Sequence, residues 1–403
     1  MKGFKLLLLA ASCVLPLAAQ AHFTTVHGLE FRPIRTDAPT HLIVVGYADD
    51  AGNEFLKAGI TRMERLRSAF PDDQIILYRS NEDDFDDARD SLRSFGLRIV
   101  DSSEDDLSAG NFLRMASRFS KIRSIAFFAH SGLFNGIRLG DDEQRISTET
   151  GNIEILRGKF TPDANVQVFG CNGAFSISPF LSKKWGVAVT GALTGGPFEG
   201  LYSDGKWYVN DDDTAPGVAW SSRNGVSFDT SVSCAKGVCI RIKPQNSTYD
   251  STWGKFSAGL GFFKFFCDGY DSNPDACNRA MANSLLGFPS TKNLKSSSPR
   301  ADWIEVLNDW ICPNAPNPSI RRTCIQGLET AIATGNEVLN VFYGPPIECS
   351  MSGCQVSFRD HPGGIFSRDT YRMIAPRVRE PRTVVQEYKR FLRGIDLITG
   401  SAR

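Results

Sequence analysis

The N-terminal half of the chain alternates short apolar runs with longer amphipathic segments. Glycine or polar residues bound the short runs, which are rich in β-branched and aromatic residues and too short for helices. They predict buried strands at 41–46, 74–78, 97–100, 125–128, 166–169 and 187–190. The longer segments have helical spacing and predict helices at 53–70, 83–95, 105–119 and 174–185. This alternation is typical of an α/β fold with a mostly parallel sheet and helices on both faces.

Two of the predicted strands end in a reactive side chain followed by glycine. The run at 125–128 leads into AHSG at 129–132, and the run at 166–169 leads into GCNG at 170–173. In open parallel sheets, functional groups gather just beyond the carboxyl ends of the strands. If the two strands are neighbours, His130 and Cys171 emerge side by side. An imidazole beside a thiol is the minimum for an activated cysteine nucleophile.

The remaining pattern divides the chain into two parts. Residues 136–140 predict a short strand that would form a wall beside the site, and 206–209 predict an edge strand. The polar segment 210–216 predicts a boundary between an α/β domain at 22–215 and a second domain at 220–403. In the second part the alternation stops, cysteines accumulate, and segments with helical spacing occur at 303–310, 326–334 and 383–392. A disulfide-stapled, partly helical domain is therefore expected there.

Charge and the N-terminal segment narrow the classes of function. The 403-residue chain has 45 Lys and Arg against 45 Asp and Glu, so nothing argues for nucleic acid as a partner. Residues 1–21 have a basic start, an apolar stretch and a final A-x-A, the pattern of a cleaved signal peptide. No later run reaches the roughly 18 apolar residues of a membrane span. We expect an exported protein without a membrane span, periplasmic or secreted.

The ten cysteines are unevenly distributed. One, Cys13, lies in the predicted signal peptide, and eight follow residue 230: Cys234, Cys239, Cys267, Cys277, Cys312, Cys324, Cys349 and Cys354. In an oxidising compartment such a set predicts a disulfide framework. Pairing of neighbours (234–239, 267–277, 312–324, 349–354) is one of about 105 possible connectivities. Cys171 is then the odd one out, unless it pairs with a C-terminal cysteine and leaves another thiol free.

At His130 and Cys171 the sequence resembles the caspase–gingipain–legumain group of cysteine peptidases (clan CD). Within that group it is most similar to caspase-like domains of bacterial surface proteins and to the autoprocessing domains of RTX-type toxins. The similarity consists of AHSG, GIRLG at 136–140, FGCNGA at 169–174, WGVAVTGA at 185–192 and KWYV at 206–209. It covers about residues 40–210.

This resemblance implies a caspase-like fold and a His–Cys dyad. Cys171 would attack a peptide carbonyl, and His130 would protonate the leaving amine. Backbone N–H groups of Cys171 and of the residue after the histidine would hold the oxyanion. That residue is glycine in the family; here Ser131 takes its place and Gly132 follows, so the resemblance implies Ser131, Gly132 and Cys171 as the backbone residues of the oxyanion site. The implied partner is a peptide or protein substrate, cleaved in trans or by self-processing, and the chemistry needs neither a metal nor an organic cofactor.

Two alternatives remain open at this point. The same scaffold could carry a degenerate dyad and act as a binding protein, or the dyad could catalyse a different acyl transfer. His361, the one histidine of the predicted C-terminal domain, is an alternative partner for the thiol. A dyad cysteine has a depressed pKa and alkylates fast near neutral pH, which separates an active site from an inert thiol.

Overall fold

A computed structural model describes most of the α/β region and parts of the remainder. It covers residues 24–25, 34–47, 54–79, 107–132, 136–140, 144–170, 173–174, 176–192, 198–201, 207–210, 226–234, 237–244, 263–268, 270, 273–288, 293–311, 318–334, 341–342, 347–350, 353–359, 370–373 and 384–401. The predicted signal peptide, the predicted elements at 83–95 and 97–100, and residues Cys171, Cys312 and His361 lie outside these ranges.

The described elements follow the alternation expected from the sequence. The strands are β1 (Thr24–Thr25), β2 (Thr40–Val45), β3 (Gln74–Arg79), β4 (Ile122–Phe128), β5 (Ser131–Gly132), β6 (Gly136–Arg138), β7 (Arg145–Ile146), β8 (Phe160–Val168), β9 (Ala188–Ala192), β10 (Phe198–Leu201), β11 (Trp207–Asn210), β12 (Val226–Cys234), β13 (Gly237–Pro244), β14 (Phe263–Phe266), β15 (Val341–Phe342), β16 (Ile347–Ser350), β17 (Gly353–Arg359) and β18 (Thr370–Met373). The α-helices are α1 (Glu54–Ala69), α2 (Ala109–Ala116), α3 (Ile177–Trp185), α4 (Pro274–Asn283), α5 (Arg300–Ile311), α6 (Pro318–Thr334) and α7 (Val384–Thr399), with 3-10 helices at Ile153–Leu156 and Ser284–Gly287.

One sheet organises the α/β region. Its strand order is β1-β3-β2-β4-β8-β9-β14. The five central strands, β3 to β9 in this order, are parallel, whereas β1 and β14 run antiparallel at the two edges. The prediction of an α/β fold with a mostly parallel sheet is confirmed.

Helices cover both faces of this sheet, as predicted. Successive strand residues point to opposite faces, so β2 contributes Leu42 and Val44 to one core and Ile43 and Val45 to the other. The first core is completed by α2 and α3. The second is completed by α1 and by buried side chains of α4, α5, α6 and α7.

The α/β core therefore includes residues far along the chain. β14 pairs with β9 at the edge of the central sheet, whereas β11, from the segment predicted as an edge strand, pairs with β10 in a separate hairpin. The apolar side chains Trp303, Trp310 and Phe391 pack in the same cluster as Ile43. The limits 1–21, 22–215 and 220–403 stay predictions, but residues after 262 contribute to the core of the first part.

The cysteine framework is described in part. Cys267 and Cys277 form a disulfide, with their Cα atoms 6.0 Å apart. The register of β16 and β17 places position 349 directly opposite position 354. In β12 and β13, position 234 lies opposite 237, and position 239 lies opposite 232. Pairings other than 267–277 remain predictions.

Helix length and hydropathy bear on the membrane question. Within the part of the chain that the structure describes, no helix combines the length and the apolar character needed to cross a bilayer.

A buried polar cluster lies at the amino-terminal ends of the central strands. The Nδ1 atom of His41 lies 2.7 Å from Ser124 Oγ, and its Nε2 atom lies 3.1 Å from Asp73 Oδ2. Arg123 Nε lies 3.2 Å from the same carboxylate oxygen. His41 and Ser124 are cross-strand partners of β2 and β4, and His41 is only 1% exposed. Burial lowers the pKa of His41 below its ordinary value, outweighing the opposing effect of Asp73.

The neutral His41 ring is therefore the form that suits the folded state. Between the lowered pKa and the ordinary value of about 6.5, the unfolded chain binds more protons, so the free energy of unfolding falls as pH falls. We expect His41 to contribute a slope of up to about 1.4 kcal/mol per pH unit in that window, measured by urea denaturation. His41→Gln should be less stable at pH 7.5 and lack this slope, whereas His130→Gln should retain it. Equal slopes in wild type and His41→Gln would contradict the assignment.

Candidate active site

The two strands predicted to carry the site are neighbours. β4 and β8 pair in parallel, with Phe127 opposite Val168. The pairing continues past β8, because Phe169 N donates to Phe127 O at 3.0 Å. Both strands therefore run out at one edge of the sheet, β4 into 129–132 and β8 into 170–173. The condition for the two motifs to lie side by side is therefore met, whereas the position of Cys171 stays a prediction.

Glycine at position 170 is required by a close approach between the motifs. A Cβ built there would fall on Ser131 Oγ and on Ala129 O, and would lie 2.8 Å from Ser131 Cβ. At Gly173 a Cβ would lie 2.8 Å from Val168 Cγ1 and 3.6 Å from Ser131 Oγ. Gly170 thus packs on the segment that carries His130, and Gly173 lies near it, although Cys171 itself lies outside the described residues.

Two elements hold the His130 segment. The half-buried imidazole packs edge-on against the ring of Phe55 in α1, with centroids 4.8 Å apart and planes at 80°. The carbonyl oxygen of His130 accepts a hydrogen bond from Arg138 N at 2.8 Å. Phe55 is fully buried, so this packing ties the ring to the core rather than to a mobile surface group.

A small antiparallel sheet stands beside the site. β5 pairs with β6 and β6 with β7, with Ser131 opposite Ile137 and Ile137 opposite Ile146. Tyr47 N donates to Leu139 O at 3.0 Å and joins this sheet to the carboxyl end of β2. The strand predicted at 136–140 is therefore present as β6, and it lies beside the segment that carries His130.

Serine fits position 131 without backbone strain. Ser131 is extended in β5, and among the described non-glycine residues only Asn152 has a positive φ. Hydrogen-bonded and non-hydrogen-bonded pairs alternate along an antiparallel ladder. Because His130 O accepts from Arg138 N, the Ser131–Ile137 pair is of the second kind. The Ser131 N–H consequently points away from β6.

Helix α3 follows the GCNG motif in sequence and is bonded to the last residue of that motif. Ser178 N donates to Gly173 O at 3.0 Å, and Ser178 is fully buried. Gly191 of β9 packs against this point, since a Cβ there would fall on Ser178 Oγ and lie 2.7 Å from Ala174 N. The N-terminal end of α3 therefore lies at the same edge of the sheet as His130.

Sequence reasoning found the two motifs but missed their supports. Phe55 is one apolar residue of an amphipathic helix, and only the crossing of α1 over β4 brings it to His130. Gly191 lies in the WGVAVTGA segment at 185–192. A glycine inside a strand signals a close backbone approach, and this signal was available in the sequence. Ser178 gave no signal, because a serine in the first turn of a helix is common.

Within the described ranges, no group of three or more His, Cys, Asp or Glu side chains is arranged to hold a metal ion.

Comparison with known proteins identifies no family. No protein-family model matches this chain, and no curated protein does either.

The contact between the two motifs makes a stability prediction. Gly170→Ala should lower the free energy of unfolding by about 1–3 kcal/mol, because the added methyl group overlaps the backbone carbonyl of Ala129. The matched control is Gly151→Ala, where a Cβ meets no atom within 4 Å, and we expect a change within about 0.5 kcal/mol. Urea denaturation of both variants measures the difference. Equal stabilities would show that the two motifs do not pack closely.

Proposed function

We propose that this chain is an exported, caspase-like cysteine peptidase that hydrolyses peptide bonds with His130 and Cys171. The observation that carries the proposal is the contact between the two motifs at one edge of the sheet. β4 and β8 are neighbours, and Gly170 packs directly on Ser131. Export through a signal peptide at 1–21, to the periplasm or outside the cell, is part of the same proposal.

The chemistry assigns one role to each residue. The Cys171 thiolate attacks the peptide carbonyl carbon and forms a tetrahedral intermediate. His130, as an imidazolium, gives its proton to the leaving amine and then assists the attack of water on the acyl-enzyme. These steps need no metal or organic cofactor.

Backbone groups would stabilise the oxyanion. The donors are the N–H groups of Ser131 and Cys171. Support comes from the direction of the Ser131 N–H, which points away from β6, and from the unstrained extended backbone at that position. A serine in place of the family's glycine is therefore compatible with this role.

The N-terminal end of α3 lies at the edge of the sheet that carries His130, and we propose that it also favours a thiolate at Cys171. The partial positive charge at a helix N-terminus stabilises a nearby negative charge and lowers the pKa of a cysteine there. Helix α3 begins at Ile177, six residues after Cys171, and Ser178 N is bonded to Gly173 O. The helix would thus assist His130 in keeping the thiol ionised.

The first test is the rate at which iodoacetamide alkylates Cys171 as a function of pH, in the mature protein. Peptide mass spectrometry separates Cys171 from the other cysteines. We expect fast labelling well below pH 8.5, the pKa of a free thiol, because the imidazolium stabilises the thiolate. In His130→Ala, labelling at pH 7 should be about tenfold slower or more. His361→Ala is the control and should label as wild type does.

The second arm uses a mixed peptide library. Wild type should produce cleavage products that Cys171→Ala does not. Slow labelling in wild type and His130→Ala alike would overturn the proposal and leave a binding protein on a peptidase scaffold. Fast labelling without cleavage would instead favour a different acyl transfer by the same dyad.

A further inference from the structure

The Cys267–Cys277 disulfide lies far along the chain from the candidate active site and has an unusual neighbour. Cys267 directly follows β14, and Cys277 lies in α4, so the bond fastens the edge of the central sheet to a helix. Arg390 of α7 reaches both sulfur atoms: its Nη2 atom lies 3.2 Å from Cys267 Sγ and 2.9 Å from Cys277 Sγ. Its Nε atom donates to Asn278 Oδ1 at 3.2 Å.

A guanidinium is poorly matched to an intact disulfide. Disulfide sulfur is neutral and a weak hydrogen-bond acceptor, whereas a thiolate is a charged one. Arg390 is largely removed from water, and this desolvation lowers its pKa, partly offset by Glu387 one turn earlier on α7. Reduction would create a negatively charged thiolate directly beside the guanidinium of Arg390. The guanidinium therefore favours the reduced state over the oxidised one.

The two sulfurs differ in access. Cys277 is 1% exposed, while Cys267 is only half-buried. An incoming thiolate therefore reaches Cys267, and the sulfur that must leave is that of Cys277. This leaving sulfur is also the closer of the two to Arg390, and a leaving thiol of low pKa departs faster.

We propose that Cys267–Cys277 is a site of reversible thiol–disulfide exchange with a dithiol reductant, in which Arg390 stabilises the Cys277 thiolate. A reductant thiolate attacks Cys267 Sγ, the Cys267–Cys277 bond breaks, and Cys277 leaves with the electron pair. The second thiol of the reductant loses its proton and attacks the reductant's own sulfur in the mixed disulfide, the bond to Cys267 breaks, and Cys267 leaves with the electron pair; solvent supplies the protons that the two released thiolates take up. The protein gains two thiols, and the reductant becomes a disulfide. Neither step involves His130 or Cys171.

A second attachment holds the segment of Cys267 in place once the bond is open. Ser182 of α3 is fully buried, its hydroxyl lies 3.1 Å from Phe266 O, and it accepts a hydrogen bond from Asp268 N at 3.1 Å. The residues on both sides of Cys267 are thus held independently of the disulfide, and β14 remains paired with β9. The reduced protein should keep its fold, which makes the exchange reversible.

The experiment measures the redox equilibrium of this one bond in the mature protein. Samples are equilibrated in reduced and oxidised dithiothreitol mixtures, acid-quenched and differentially alkylated, and the peptides carrying Cys267 and Cys277 are quantified. We expect Arg390→Gln to need a ratio of reduced to oxidised dithiothreitol about tenfold higher for half-reduction, the effect of losing one charge-assisted contact to the thiolate. Arg390→Lys, which keeps the charge, should lie between the two.

The matched control is Arg393→Gln on the same helix. Arg393 also faces α4, but it pairs with Asp275 at 2.9 Å and is bonded to neither sulfur in the structure. It should leave the redox equilibrium unchanged. Equal equilibria for wild type, Arg390→Gln and Arg393→Gln would overturn the proposal.

Circular dichroism would reveal whether the Arg390 variants misfold. A second measurement uses only the wild-type protein and therefore does not depend on these variants. In reduced wild type, alkylation of the buried Cys277 will be slow, but the midpoint of its rate against pH should show a thiol pKa below the ordinary value of about 8.5. A pKa at or above that value would also overturn the proposal, whatever the variants do. Since the readout concerns only Cys267 and Cys277, a failed peptidase assay would not affect it.

Discussion

The close pairing of β4 and β8 is the constraint on which the candidate site depends. The two strands run in parallel to the same edge, and the chain then turns out of both at almost the same level. Backbone and side-chain atoms approach so tightly there that position 170 has no room for a Cβ. The glycines around Cys171 are therefore explained by packing, independently of any catalytic role. The same packing holds the segment of His130 against Gly170.

The two ends of this sheet are built differently. At the amino end, His41, Ser124 and Asp73 are buried and bonded to one another, in the order hydroxyl, imidazole and carboxylate that can also form a catalytic array. At the carboxyl end, His130 is half-buried and the β5–β6–β7 sheet stands alongside. The two regions thus differ in the exposure of their histidines, although the residue types are similar.

Elements specified by residues close together in sequence could be predicted, whereas those specified by contacts between distant residues could not. Apolar runs identified β2, β3, β4, β8 and β9, because a strand buried on both faces leaves a local signature in the sequence. The AHSG and GCNG motifs marked the ends of two of them. The edge strand β14 was missed, since its pairing with β9 joins positions more than seventy residues apart. Phe55 beside His130 and Arg390 beside the disulfide are equally non-local, and no spacing in the sequence records them.

The sequence by itself determined the fold class, the strands that carry the two motifs, and the candidate chemistry of an imidazole and a thiol. These follow from periodicity and from residue type, which are properties of short segments. Only the tertiary structure decided that β4 and β8 are neighbours, that Ser131 occupies the space left by Gly170, and that helices after residue 270 share a core with the first strands. These depend on which surfaces meet when the chain folds, and burial of apolar area selects those contacts over the whole molecule at once.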